Sequence, residues 1–365
     1  MQLNDVTLRE GDQMPGRNFT AEEKLACAHE LDSLGVPFIQ PGFPATGEKD
    51  TRVIKELAET VDATVIALAR ALEPDIDAAV DAHADVVEIV VPASDLHLEY
   101  LLGKSREEML AMLVDAVAHT RERGATPHVI LADAFRTDPA HLLEIFDTAS
   151  AVPYLTLADS VGARTPHSVT SYLAELGAEI DLSRVGAHFH DDLGCGTANA
   201  LAAYHAGVGK LDVSVAGLGE RAGNSTLEEV VAATTVDSDD DLGLHTADLI
   251  PACRTILETL DEAYDERKAV IGRKVTEQES GVHTAAMLSD PATLEPYDPA
   301  KFGGSRRLIF GAATGTGGAR QLLERVGVEP EDETVTQFKQ LLANNGPLTL
   351  DEALSLAEQT FADEQ

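Results

Sequence analysis

The side chains with the most chemistry to offer are His188 and His190, in the run Gly186-Ala187-His188-Phe189-His190-Asp191-Asp192-Leu193-Gly194. Two histidines two apart, closing an apolar run, read as the end of a β-strand, where residues i and i+2 leave on the same face. Both imidazoles can then reach one point. A divalent metal suits that point, because neutral imidazole is the commonest side-chain ligand. The plain alternative is two polar residues on a half-exposed strand. Glu10, read as ending the first strand directly after Arg9, adds a carboxylate. One carboxylate and two imidazoles make a facial set with open positions, suited to Mg, Mn, Fe, Co or Zn acting as a Lewis acid. Such a metal can chelate a 2-oxo acid through its carboxylate and ketone oxygens and make the carbonyl carbon electrophilic. Arg9 stabilises a developing enolate or alkoxide if the strand end bends to bring it near. The glycines of Gly217-Leu218-Gly219-Glu220-Arg221-Ala222-Gly223-Asn224 permit tight backbone turns, and Asn224 is placed to reach the metal site. His283 is a candidate acid–base further along the chain.

Elements that hold such groups in place are legible in the pattern. Short apolar runs near 2–8, 37–42, 63–69, 86–91, 127–132, 153–158, 184–190 and 210–216 read as strands. Val86-Val87-Glu88-Ile89-Val90-Val91 is nearly continuous in apolar residues, as a parallel strand covered on both faces should be. Helical periodicity fills the intervals: Ala21 to Leu34 behind the N-cap Thr20, Ser105 to Arg123, and a helix opened by Thr165-Pro166. Eight strand–helix units predict an α/β fold of the TIM (β/α)8 type, with a doubly wound open sheet as the alternative. A barrel puts catalytic groups at the carboxyl ends of its strands. Arg9, Glu10, Gln40, Arg70, His97, Asp133, Asp159, His188, His190 and Asn224 fall there. The expected organisation is a catalytic barrel over 1–240, linking helices over 241–270 and a small, mainly helical C-terminal accessory region over 271–365. Within that region 271–320 reads as irregular, and 329–362 as two short helices broken at Asn344-Asn345-Gly346-Pro347.

The formal charge of −36 spreads along all 365 residues. Phosphate and anionic-lipid contacts need basic patches, so nucleic-acid and membrane-surface roles are excluded as expectations. Acidity without a concentrated tail suggests a halophilic protein adapted to high salt. Three widely spaced cysteines, Cys27, Cys195 and Cys253, argue against a disulfide framework. With no signal peptide or membrane-length apolar run evident, a cytoplasmic protein is expected.

Several ordered segments together resemble the DRE-TIM metallolyase family, in its Claisen-condensing branch of 2-isopropylmalate, homocitrate and citramalate synthases. They are Asp5-Val6-Thr7-Leu8-Arg9-Glu10-Gly11-Asp12-Gln13, the HFHDDLGCGTAN segment from His188 to Asn199, and GLGERAGNSTLEE from Gly217 to Glu229. Gly42-Phe43-Pro44-Ala45, Asp159-Ser160-Val161-Gly162 and KVTEQESGVH from Lys274 to His283 add to them. The resemblance implies a divalent metal (Mg, Mn, Zn or Co) on Glu10, His188 and His190, with Asn224 nearby. It implies that Arg9 polarises the reacting oxygens, that Gln13, Ser160 and His97 position a 2-oxo acid, and that Gln40 is a partner of Arg9 in the substrate site. It further implies a homodimer, with His283 donated across it to assist enolisation of acetyl-CoA. The reaction would join the acetyl methyl carbon to the ketone, and water would then cleave the thioester.

Departures from the family pattern bear on proton transfer and on the acyl-CoA side. Gln40 stands where the family usually has Glu, and Ala132-Asp133 where it usually has Glu-Asp. Leu294 replaces a usual Tyr, although Tyr297 follows, and Gly311-Ala312-Ala313-Thr314-Gly315 lacks the usual Lys-His element. They keep two other readings open: a metal-dependent aldol or retro-aldol lyase, and a catalytically weakened paralogue with a binding role. No arginine stands out as a clamp for a second carboxylate, which weighs against 2-oxoglutarate. The chain length suggests no leucine-binding regulatory domain.

Overall fold

The computed structural model describes residues 1–238, 240–279 and 281–361. Eight parallel strands close into a barrel: β1 (Gln2–Asp5), β2 (Phe38–Gly42), β3 (Thr64–Arg70), β4 (Val86–Pro92), β5 (Thr126–Ala132), β6 (Leu155–Asp159), β7 (Val185–Phe189) and β8 (Lys210–Val213). β1 pairs with both β2 and β8, so the sheet has no open edge and the doubly wound alternative is ruled out. Helices follow the strands, and their starts are set locally. Thr20 and Glu23 form a capping box ahead of Ala21–Ser33, Ser105 and Glu108 another ahead of Arg106–Glu122, and Thr165 precedes Pro166–Leu176.

The chain divides into two compact units, one of Met1–His245 with Ala252–Tyr264 and one of Thr246–Pro251 with Asp265–Gln365. The second unit is more regular than its composition predicts. The segment read as irregular contains β9 (Glu277–Gln278), a helix Gly281–Ser289, β10 (Arg307–Phe310) and the start of a helix Thr316–Arg325. With β11 (Leu348–Thr349) the strands form a sheet of order β11-β10-β9. Phe310, Leu322, Leu323, Phe338 and Leu342 pack into its core, which orders a segment that local pattern alone leaves ambiguous. Two helices, Asp332–Asn345 and Leu350–Phe361, flank the expected break. No helix among the described residues is long and apolar enough to cross a membrane.

One local expectation fails in an instructive way. β1 ends at Asp5, and Thr7–Glu10 is a helical turn rather than more strand. Asp5 accepts the Thr7 N–H and the Thr7 hydroxyl, both at 2.9 Å, and this side-chain turn ends the extended run. Arg9 and Glu10 therefore lie on a turn, where neighbouring residues no longer point to opposite faces.

The barrel interior is layered. Phe38, His128 and Tyr154 pack edge-on at the amino ends of the strands, with ring centres 5.2–6.3 Å apart. Above them lies a fully buried polar layer. Lys210 donates to Glu88 Oε1 at 2.6 Å and faces Asp212 Oδ1 at 3.5 Å, while Asn4 donates to Asp212 at 2.9 Å. Gly186 makes room for this layer: a Cβ there would come within 2.5 Å of Thr156 Oγ1 and 3.0 Å of Lys210 Cε. Lys24, also fully buried, ties the loop after β1 to the end of β2 by bridging Asp12, Asp50 and the Pro41 carbonyl at 2.7–3.0 Å.

Candidate active site

At the carboxyl ends of the strands, Glu10, His188 and His190 converge. One ligand atom from each lies within 4.8 Å of the others, and all three residues are buried. His188 Nε2 sits 3.6 Å from Glu10 Oε1 and 3.4 Å from His190 Nε2. His188 Nδ1 faces Asp212 Oδ2 at 3.2 Å, so its proton is held there and the Nε2 lone pair is aimed at the cluster. Burial, and then the neighbouring His188, push His190 down to about 4. That ring is neutral at pH 7 and also offers a lone pair. Burial works to raise the Glu10 carboxyl, yet Arg9 and the two histidines hold it below its ordinary value. Two imidazole lone pairs and a carboxylate facing one another fit a cation between them better than they fit each other. Asn224 Oδ1 is buried nearby and has no hydrogen-bond partner.

The loop after β8 brings Asn224 in. Its backbone bridges to His190. Gly223 has φ +90°, and a side chain there would overlap the Gly217 carbonyl oxygen. Gly219 packs against the Asn224 amide and Glu10 with no room for a Cβ. The glycines of this run thus permit close backbone approach beside the three converging ligands.

A cavity of about 210 Å³ opens over the cluster. It is lined by Arg9, Glu10, Gln13, His188, His190, Glu220 and Arg221 together with the apolar Leu68, Val90, Ile130 and Ala158, one from each of β3 to β6. Ser160 also lines it, and its hydroxyl oxygen accepts the Asp133 N–H at 2.9 Å, leaving its own proton to donate. The two cations at the cavity are already engaged: Arg9 pairs with Glu10, and Arg221 with Asp192 at 2.9 Å. A second cavity, about 310 Å³ and walled mainly by Leu72, Leu101, Leu102, Met109 and Met112, shares Val90 and Ala132 with the first.

Not every residue singled out from the sequence faces this cavity. Gln40, expected in the substrate site, is fully buried with both ends of its amide engaged, so it contacts Arg9 and not the cavity. A register shift in β2 between Ile39 and Gly42 accompanies that inward placement. His97 is also off the cavity lining, with Nε2 3.7 Å from Asp133 Oδ2. Asp133, at the end of β5, adopts φ +62° and is clamped by Arg136 through two 2.7 Å hydrogen bonds. His283 lies exposed on the helix Gly281–Ser289 of the second unit; the preceding Ser280 lies outside the described residues. The sequence reading passed over Glu88, Lys210 and Asp212. Their one signal was a charge set inside an apolar strand run.

Residues 1–256 match the HMGL-like family, and residues 270–345 match the homocitrate synthase post-HMGL domain-like family. The chain belongs to the HMGL-like family. Its second domain puts it in the Claisen-condensing branch and makes it an enzyme of that type. It is 38% identical to homocitrate synthase AksA of Methanopyrus kandleri over 91% of this chain and 84% of that one. It is 37% identical to the putative (R)-citramalate synthase CimA of the same organism, over 95% and 69%. Against 2-isopropylmalate synthase of Sulfurisphaera tokodaii the figure is 32% over 98% and 95%. The barrel fold is also that of hydroxymethylglutaryl-CoA lyase from Pseudomonas aeruginosa, with a TM-score of 0.64 and 21% identity over 72% of this chain and 93% of that one.

Proposed function

We propose that this enzyme condenses acetyl-CoA with a 2-oxo acid whose side chain is apolar, such as pyruvate, 2-oxobutyrate or 2-oxoisovalerate. The observation that carries the choice of substrate is the apolar patch of Leu68, Val90, Ile130 and Ala158 in the lining of the cavity that holds the cluster. A second carboxylate pressed against it would lose its hydration without gaining a counter-ion. Both cations lining the cavity among the described residues are already paired.

Glu10, His188 and His190 would hold a divalent metal, with Asn224 beside them. Bound there, such an ion supplies Lewis-acid polarisation of the oxo acid's carbonyl. The remaining steps belong to the chain's own groups. Ser160 and Gln13 orient the oxo acid by hydrogen bonds. Arg9 stabilises the negative charge that grows on the ketone oxygen as the new carbon–carbon bond forms. His283, given by a second copy in a homodimer, takes the proton from the acetyl methyl group. The accessory region over 271–365 serves to present it. The net charge of −36, spread along the chain, supports a halophilic enzyme.

The test is release of free thiol from acetyl-CoA by the purified protein with Mn²⁺ and a panel of oxo acids. The apolar substrates are expected to exceed 2-oxoglutarate in kcat/KM by at least about tenfold. A preference for 2-oxoglutarate would overturn the apolar-patch reading. No thiol release with any oxo acid would overturn the condensation itself.

A further inference from the structure

We propose that Gln40 and Glu88 work as one unit that positions Arg9: the carboxylate balancing the Arg9 guanidinium from below sits on Glu88 and reaches it through the Gln40 amide. The proposal rests on the reading that Arg9 serves the reacting oxygens. Gln40 Oε1 accepts from Arg9 Nε at 2.7 Å, and Gln40 Nε2 donates to Glu88 Oε2 at 2.5 Å. Arginine can only donate, and a carboxylate in an ion pair only accepts. The amide therefore has a single permitted orientation, and its two neighbours impose it. Gln40 and Glu88 are both fully buried, so no water substitutes for either bond.

Glu88 is itself held. Its other oxygen takes Lys210 Nζ at 2.6 Å and the Thr156 hydroxyl at 3.3 Å. Lys210 continues to Asp212, and Asp212 to His188 Nδ1. One line of polar contacts thus runs beneath the cavity from Arg9 to His188 through Gln40, Glu88, Lys210 and Asp212. Both ends of the reactive constellation are oriented by the same buried chain.

The arrangement has a chemical consequence. Arg9 already pairs with Glu10; a second carboxylate on its Nε would neutralise still more of the guanidinium charge, whereas an amide oxygen aligns the group and neutralises less of it. More positive charge is left to meet the developing oxyanion. It also makes the residue types interdependent. A Glu at 40 would put its carboxylate against that of Glu88 at hydrogen-bond distance, and two such groups cannot both ionise. Glutamine at 40 makes the bridge from Arg9 to Glu88 without needing an extra proton to be held between two carboxyl groups.

Four proteins test this: wild type, Q40E, E88Q and Q40E/E88Q. Each is assayed for thiol release with the best oxo acid and for unfolding in urea. Each single change is expected to lower kcat about 10- to 100-fold with little change in the KM for acetyl-CoA. The double variant, which returns a single carboxylate to the pair, is expected to recover at least about tenfold over Q40E. Losses that multiply in the double variant, or an E88Q enzyme equal to wild type, would overturn the proposal. If the single variants fail to fold, the double variant decides: folded and active supports the unit, folded and inactive reduces it to packing and refutes it. A wild type inert with every oxo acid removes the condensation reading instead. The Gln40–Glu88 pairing is then judged by whether the urea effects are non-additive.

Discussion

Replacing Lys210 by methionine isolates the buried charge layer. The Lys210 side chain is fully buried, and its ammonium lies 2.6 Å from Glu88 and 3.5 Å from Asp212. Burial alone would favour the neutral amine, but Asp212 and then Glu88 hold its pKa above the ordinary lysine value. Methionine fills a similar volume and removes the charge, leaving Glu88 with no cation. Breaking one partner of a buried pair typically costs about 3–5 kcal/mol. For the barrel unit of Met1–His245 with Ala252–Tyr264, that corresponds to a fall in Tm of roughly 6–10 °C. The pH dependence has a definite sign. An unpaired buried carboxyl has a folded pKa raised above its unfolded value of about 4.3. It then favours the fold fully below that unfolded value, and the advantage is lost as pH rises through the raised folded value. The deficit of K210M should accordingly be large at neutral pH and shrink toward pH 4. The assay is thermal unfolding of metal-free wild type and K210M at several pH values and one KCl concentration. K210M/E88Q should recover more than half of the loss. A deficit under about 2 °C at neutral pH, or one independent of pH, would refute the view that this layer is a mutually dependent ion pair.

Removing metal should be visible in stability. Saturating Mn²⁺ is expected to raise the Tm of wild type over a chelator control, by about 2.7 kcal/mol of added stability at a hundredfold excess over Kd. In H190A that rise should vanish, and its persistence would place the ion elsewhere. Asp212→Asn disturbs the acceptor that orients His188, and should weaken Mn²⁺ binding about 10- to 100-fold in a titration; unchanged affinity would break the proposed link. Met112→Trp narrows the second cavity, and should lower kcat/KM for 2-oxohexanoate relative to pyruvate. An unchanged ratio would show that longer side chains do not use it. Raising KCl from low to molar concentration should raise Tm, since it screens a net charge of −36; a falling Tm would contradict the halophilic reading.

Much of this protein was legible in one dimension. Eight strand–helix units, the capped helix starts and the histidine pair follow from local rules: side-chain alternation in strands, hydroxyl and carboxylate caps, and imidazole chemistry. The structure also brings Glu10 together with His188 and His190, because strand ends of a barrel share one rim. The local geometry there was not legible. The turn made by Asp5 and Thr7 replaces strand over Thr7–Glu10, and this places Arg9 and Glu10 on the same side. The segment 271–320, which reads as irregular from its composition, likewise holds helices and short strands, because these depend on a core built from distant residues.

What local rules cannot supply is the set of pairings across the barrel. Glu88, Lys210 and Asp212 sit on β4 and β8, opposite one another around the closed sheet. A charge inside an apolar strand gives no hint of its partner, because the partner is chosen by closure and register. The same closure sets Gln40 between Arg9 and Glu88 and gathers Leu68, Val90, Ile130 and Ala158 into the lining of the cavity that holds the histidines. Residue types determined what chemistry was available. Only the three-dimensional fold decided which charges meet, because electrostatic and packing energies depend on distances that sequence separation does not encode.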